Sequence, residues 1–243
     1  MDIDYKTACV YGITGSLGGG KTLTAVDIAL EFLSRGHKVY TNIQLHNLKN
    51  EYQKLYTYNS DISSVNVASF PRGSPRGSKG NKRVAIIIDE AAEYFDQYTS
   101  SSLSTKNFLS WLRHSSKQGQ FVFFIVQDAS MLAKSLRLLI YRWIVCEDLG
   151  QYSIPMLRLK IPFMGNYVWR RVYDKQGNRV NRGFDVVSKF FIGRFYNTAQ
   201  ILSTSHSSLI DSSYTSSPNT IIPYLSAIKL TFFIQLLITT YYI

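Results

Sequence analysis

The run Gly15-Ser16-Leu17-Gly18-Gly19-Gly20-Lys21-Thr22 holds a glycine, four intervening residues and then Gly-Lys-Thr. That spacing suits the phosphates of a nucleoside triphosphate. Glycines let consecutive backbone N–H groups curl around a phosphate without obstruction from Cβ atoms. Lys21 is expected to reach the β- and γ-phosphates, and the Thr22 hydroxyl to ligate Mg²⁺. A helix starting near Lys21 would aim the positive end of its dipole at the same anion.

Ile86-Ile87-Ile88-Asp89-Glu90 supplies a phosphate loop's usual partner, an acidic residue ending an apolar strand. Asp89 would hold Mg²⁺ through water. Glu90, one residue on, is placed to polarise an attacking water as general base. Gln127 ends the apolar run 121–126 and is expected at the ligand crevice of a parallel sheet, sensing the γ-phosphate or orienting the water. Arg113 and Arg137 are candidates to stabilise transition-state charge, as fingers supplied across a subunit interface. The GTPase base-specificity pattern Asn-Lys-x-Asp does not occur, which favours ATP. Cys9 and Cys146 sit in apolar runs outside any CxxC or Cys/His cluster, so they are read as buried thiols in a reducing compartment.

These residues need a sheet and helices to position them. A strand over 8–14 leads into the loop. A helix over 22–33 follows, with Leu23, Val26, Ala29, Leu30 and Leu33 at helical spacing and Gly36 closing it. A strand over 38–43 then makes a βαβ pattern, which implies a parallel sheet. The Gly-, Pro- and Arg-rich stretch 70–83 is a loop. Val84 to Ile88 is apolar throughout, as a strand buried on both faces requires. A helix over 105–117, a strand over 121–126, a helix from Ser130 to about Tyr141 and a strand over 143–146 complete an ATPase core over 1–150.

Residues 151–196 are aromatic and basic. A hairpin pairing 167–173 with 179–184 around 174–178 marks them as a small β-rich extension. Residues 197–220 are rich in Ser and Thr and read as a linker. The largely apolar stretch 221–243 is long enough to cross a bilayer, which takes about 20 residues. Lys229 and Gln235 interrupt it, and Tyr224, Tyr241 and Tyr242 lie near its ends, where an interfacial belt would stand. The chain has 243 residues and a formal net charge of +11, which suits a phosphate-bearing partner such as nucleic acid or an anionic lipid surface. The N-terminus lacks the charged and apolar regions of a signal peptide.

Taken together, the phosphate loop, Thr41-Asn42-Ile43 after the second strand, Ile88-Asp89-Glu90-Ala91, and Gln127 after Phe124-Ile125-Val126 resemble the zonular occludens toxin-like ATPases, which include filamentous phage assembly proteins. Arg113, within 108–114, and Tyr196-Asn197-Thr198 extend the likeness to about residues 7–200. The resemblance implies an α/β phosphate-loop NTPase of the ASCE, FtsK/HerA-like class, with a C-terminal hydrophobic helix. It also implies a homo-oligomeric ATPase in the host inner or plasma membrane, crossing it once, with its nucleotide domain cytoplasmic. ATP hydrolysis would then support extrusion of phage, with coat proteins and single-stranded DNA or its binding protein as partners. Because the sequence stops at the apolar segment, no domain is expected beyond the membrane. A genome-packaging or DNA-translocating ATPase of the FtsK/HerA class is the alternative, and a nucleotide-dependent scaffold the non-enzymatic one.

Overall fold

The computed structural model describes residues 9–62, 67–75, 82–95, 103–151, 153–154, 159–160, 164–180, 183 and 185–197. Residues 198–220 of the expected linker, and the whole apolar segment 221–243, lie outside the described residues. Among the described residues, no helix is long and apolar enough to cross a membrane.

In chain order the elements are β1 (Val10–Thr14), α1 (Lys21–Ser34), β2 (Lys38–Thr41), α2 (Asn50–Gln53), β3 (Tyr56–Tyr58), β4 (Val84–Ile88), α3 (Leu103–Ser115), β5 (Gln120–Ile125), α4 (Lys134–Arg137), β6 (Arg142–Asp148), β7 (Ser153–Ile154), β8 (Leu159–Lys160), β9 (Tyr167–Asp174), β10 (Asp185–Ser188) and α5 (Lys189–Ile192). Eight strands form one sheet in the order β10-β9-β6-β1-β5-β4-β2-β3. The six from β6 to β3 run parallel. β9 pairs antiparallel with β6, and β10 antiparallel with β9. β7 and β8 make a separate two-stranded pair. β5 stands between β1, which enters the phosphate loop, and β4, which leads into Asp89. That additional strand is the order of an ASCE-type phosphate-loop NTPase, as the sequence led us to expect.

The uninterrupted apolar runs follow from burial on both faces. On β5, Phe121, Phe123 and Ile125 join the core under α1, while Val122 and Phe124 join the core under α3. β4 divides the same way, with Ala85 and Ile87 toward α1, and Val84, Ile86 and Ile88 toward α3. From α1, Phe32 presents edge-on contacts to Phe121 at 5.3 Å and Phe123 at 6.1 Å. Under α3, Phe95 stacks on Phe108 at 4.2 Å. Truncating a buried phenylalanine of this kind costs about 3–5 kcal/mol. α1 ends as its glycine predicts: Gly36 takes φ 73°, its N–H donates to the Leu33 carbonyl, and the His37 N–H donates to the Phe32 carbonyl.

Four elements depart from the sequence reading. The strand expected over 38–43 stops at Thr41, whose Oγ1 accepts from the Ile43 N–H and turns the chain at Asn42. β3 was not foreseen; it pairs in parallel with β2. The helix expected from Ser130 is a single turn, α4. Leu132 and Ala133 are extended, the Ala133 N–H donates to the Phe95 carbonyl, and Asp128 rather than Ser130 caps the preceding turn. The hairpin turn lies where expected, with Asp174 Oδ1 accepting from the Gln176 and Asn178 N–H groups. Its return strand, however, is 185–188. From the Tyr173–Arg179 pairing to the Arg170–Asp185 pairing the return side advances six positions along the chain against three.

Candidate nucleotide-binding site

The phosphate loop leaves β1 at the carboxyl edge of the parallel strands and ends in the first turn of α1. No acidic side chain occupies that turn, so the positive helix terminus is left for an anion. The fold needs glycine at two loop positions in particular. Gly15 has φ 154°, and a Cβ there would sit 2.3 Å from the Cys146 carbonyl oxygen of β6. Gly20 has φ 87°, and a Cβ there would sit 2.3 Å from Val168 Cγ2 of β9. β6 and β9 therefore press on the outer side of the loop. The buried Arg170 guanidinium of β9 binds Asp27 of α1 and Asp185 of β10, each at 2.5 Å.

Lys21 is buried, with its ammonium drawn into the loop by the carbonyl oxygens of Gly15 at 3.0 Å and Ser16 at 2.9 Å. Thr22 Oγ1 donates to Asp89 Oδ2 at 3.1 Å, joining the start of α1 to the end of β4 across an interval of 67 residues. Asp89 is itself buried. Burial pushes its carboxyl up to about 6; the neighbouring Glu90 carboxylate pushes the same way, and the Glu90 N–H, the Thr22 hydroxyl and Lys21 pull against it. A carboxylate held this deep is one whose charge a divalent cation would stabilise. Among the described residues no three His, Cys, Asp or Glu side chains cluster as a protein cage. An ion held by Thr22 and Asp89 would complete its shell with phosphate and water, as Mg²⁺ prefers.

Beyond Asp89 the backbone turns sharply. Glu90 adopts φ 48° and ψ 46°, the left-handed region, at a cost of about 1–3 kcal/mol for a residue with a side chain. Asn42 meets this turn from β2. Its Nδ2 donates to the Asp89 carbonyl at 3.0 Å, and its Oδ1 accepts from the Asp89 N–H at 2.7 Å. Tyr94, on the next turn, stands beside the Asn42 side chain. Burial pushes the Tyr196 phenol up, and the charge of Asp89 adds to it.

The model of the zonular occludens toxin (Zot) family matches residues 9–157 of this chain. The chain belongs to the Zot family. It is similar to the Gene 1 protein of Enterobacteria phage I2-2, with 31% identity over 158 residues, covering 61% of this chain and 42% of that protein. The Gene 1 protein of Salmonella phage IKe is 30% identical over 158 residues, with the same coverage. The chain thus matches less than half the length of these curated relatives. The crystal structure of the N-terminal domain of zonular occludens toxin from Neisseria meningitidis aligns over 79% of this chain and 100% of that one, with 17% identity and a TM-score of 0.48.

In this Zot-family chain the sequence-predicted residues do not all converge. Gly15–Thr22, Asp89 and Glu90 come together. Gln127 also lies at the loop edge: its backbone carbonyl accepts from Thr14 Oγ1 at 2.9 Å, and its side chain is exposed. Arg137 ends α4, half-buried, where its charge acts on Asp128. Arg113 is placed away from the site. It stands exposed in the last turn of α3, lining a cavity of about 450 Å³ with Val10, Lys117 and Lys175. Val10 opens β1, so Arg113 lies at the opposite strand end from the loop, on the order of 15 Å away at 3.3 Å per residue. It cannot reach the phosphate loop of its own chain. Asn42 is the residue that sequence reasoning noticed without giving a role. A polar side chain at the carboxyl end of a strand beside the acidic strand was the available signal.

Proposed function

We propose that this chain is the ATP-hydrolysing part of a filamentous phage assembly machine at the host membrane, where ATP turnover supports extrusion of the particle. The Thr22–Asp89 pair beside the buried Lys21, in a Zot-family chain similar to phage Gene 1 proteins, is the observation that carries this reading. Gly15, Ser16, Leu17, Gly18, Gly19, Gly20, Lys21 and Thr22 bind the phosphates of ATP. Thr22 and Asp89 would hold Mg²⁺, which would supply neutralising charge for the phosphates. Glu90 takes a proton from the attacking water, with Gln127 beside the loop orienting it. Arg137, or Arg113 donated by a neighbouring copy in a homo-oligomer, offsets charge in the transition state.

Residues 1–150 form the ATPase core in this reading, 151–196 its β-rich extension, 197–220 a linker and 221–243 a single membrane span. The core would then lie in the cytoplasm. Coat proteins, and single-stranded DNA or its binding protein, are the partners. The net charge of +11 favours the nucleic acid among them.

Turnover of Mg²⁺-ATP by the full chain tests the enzymatic half. Lys21→Ala is expected to lose binding, whereas Glu90→Gln keeps binding and loses turnover. Equal turnover by Glu90→Gln and the unmodified chain would sink the catalytic assignment. Membrane fractionation of the full chain against a version stopped at Asn219 tests the anchor. If both remain soluble, the export reading fails.

A further inference from the structure

The hydrogen-bond ladder between β2 and β4 pairs Thr41 with Ile87 and goes no further along the backbone. Two residues on, at Asp89, the Asn42 carboxamide takes the ladder's place. It accepts from the Asp89 N–H and donates to the Asp89 carbonyl, so both backbone polar groups of that residue are held by one side chain. The peptide so gripped is the one that enters Glu90, whose backbone is left-handed without being glycine. Asparagine is suited to this grip because one rigid amide offers a donor and an acceptor together. Asn42 is itself fixed from two sides. Thr41, buried just before it, is bonded through Oγ1 to the Ile43 N–H, and Tyr94 lies beside the Asn42 side chain.

We propose that Asn42 is a positioning residue: by clamping the Asp89 peptide it imposes the left-handed backbone at Glu90 and so sets where the Glu90 carboxylate stands for hydrolysis. It rests on the reading of Glu90 as the general base. Asn42 touches neither loop nor phosphate in this role, so its loss slows turnover and leaves nucleotide binding in place. The same geometry makes a second demand. The clamp matters because Glu90 resists the left-handed region, and glycine there would not need it.

Two measurements on the full chain separate the outcomes. In steady-state ATP turnover, Asn42→Ala is expected to lower kcat about 10–100-fold, the scale of a displacement of order 1 Å at a reacting group. KM and the affinity for a fluorescent ATP analogue should stay within about threefold. Unchanged kcat, or equal losses in kcat and affinity, overturns the proposal. Should Asn42→Ala fail to fold, Asn42→Ser, which keeps a polar group there but is too short to hold both backbone groups of Asp89, replaces it with the same direction of loss expected. The second measurement is a thermal-stability cycle of Asn42→Ala and Glu90→Gly, alone and combined. The drop in Tm caused by Asn42→Ala should be smaller when residue 90 is glycine, and strictly additive effects overturn the clamp. If the unmodified chain hydrolyses no ATP, the ATPase reading falls, and the stability cycle alone decides the inference.

Discussion

Arg170 on β9 and Asp27 on α1 meet at 2.5 Å, so the antiparallel edge of the sheet is tied to the helix that opens with the phosphate loop. Arg170 is almost fully buried and also binds Asp185. Its charge is retained because two carboxylates outweigh the desolvation that burial imposes. Removing it as Arg170→Ala strands both carboxylates, and breaking a buried pair from one side costs about 3–5 kcal/mol. Urea denaturation should register that loss. Arg170→Met, which keeps the packing stem, should lose less than the alanine variant.

Gly20 makes a second link between β9 and the loop, this time steric. Gly20→Ala must take φ 87° and place its Cβ 2.3 Å from Val168 Cγ2. The backbone alone costs about 1–3 kcal/mol. The loop should shift and ATP affinity should fall at least tenfold, on the scale of one such strain term. Adding Val168→Ala clears the clash but not the backbone strain. Titration with a fluorescent ATP analogue should therefore recover affinity only in part.

Thr22 separates metal from phosphate. Thr22→Val keeps the shape of the side chain and removes the hydroxyl that reaches Asp89 at 3.1 Å. Isothermal titration with ATP in EDTA should match the unmodified chain. The additional affinity conferred by Mg²⁺ should be lost, and turnover should fall about 10²-fold, the scale seen when one electrostatic contact to developing charge is removed. Lys21→Ala should weaken binding with or without Mg²⁺.

Much of this site was legible because two strands advertise themselves. Val84 to Ile88 and Phe121 to Ile125 are apolar at every position, and only strands covered on both faces read that way. Once they are placed, the polar residues that follow them, Asp89 and Gln127, must lie at the ligand edge. The same rule applied to Arg113 places it at the other edge, since a residue in the last turn before a parallel strand sits where that strand begins. Spacing along the chain suggested a finger; topology puts it out of reach of its own loop. β3 left no signal, because Tyr56–Tyr58 is three residues long with Thr57 and Tyr58 exposed. The single turn of α4 was overread because Leu132, Leu136 and Ile140 are buried at helical spacing, while the extended backbone at Ala133 is set by its bond to Phe95.

His37 gives the fold a pH dependence with a definite sign. It follows Gly36 at the end of α1, its ring lies edge-on to Phe32 at 5.8 Å, and its Nδ1 accepts from the Arg83 N–H. Burial lowers its pKa, and the charges of Arg35 and Arg83 lower it further. A histidine whose folded value lies below its unfolded value of about 6.5 is held neutral by the fold. Its contribution to stability is complete above the unfolded value and is lost as pH falls through the folded one. His37→Asn keeps an acceptor for the Arg83 N–H and cannot titrate. Denaturant midpoints taken at pH 7.5, 6.5 and 5.5 should fall more steeply for the unmodified chain than for this variant. Parallel decline in the two would mean that His37 is not held neutral and that the acid sensitivity arises elsewhere.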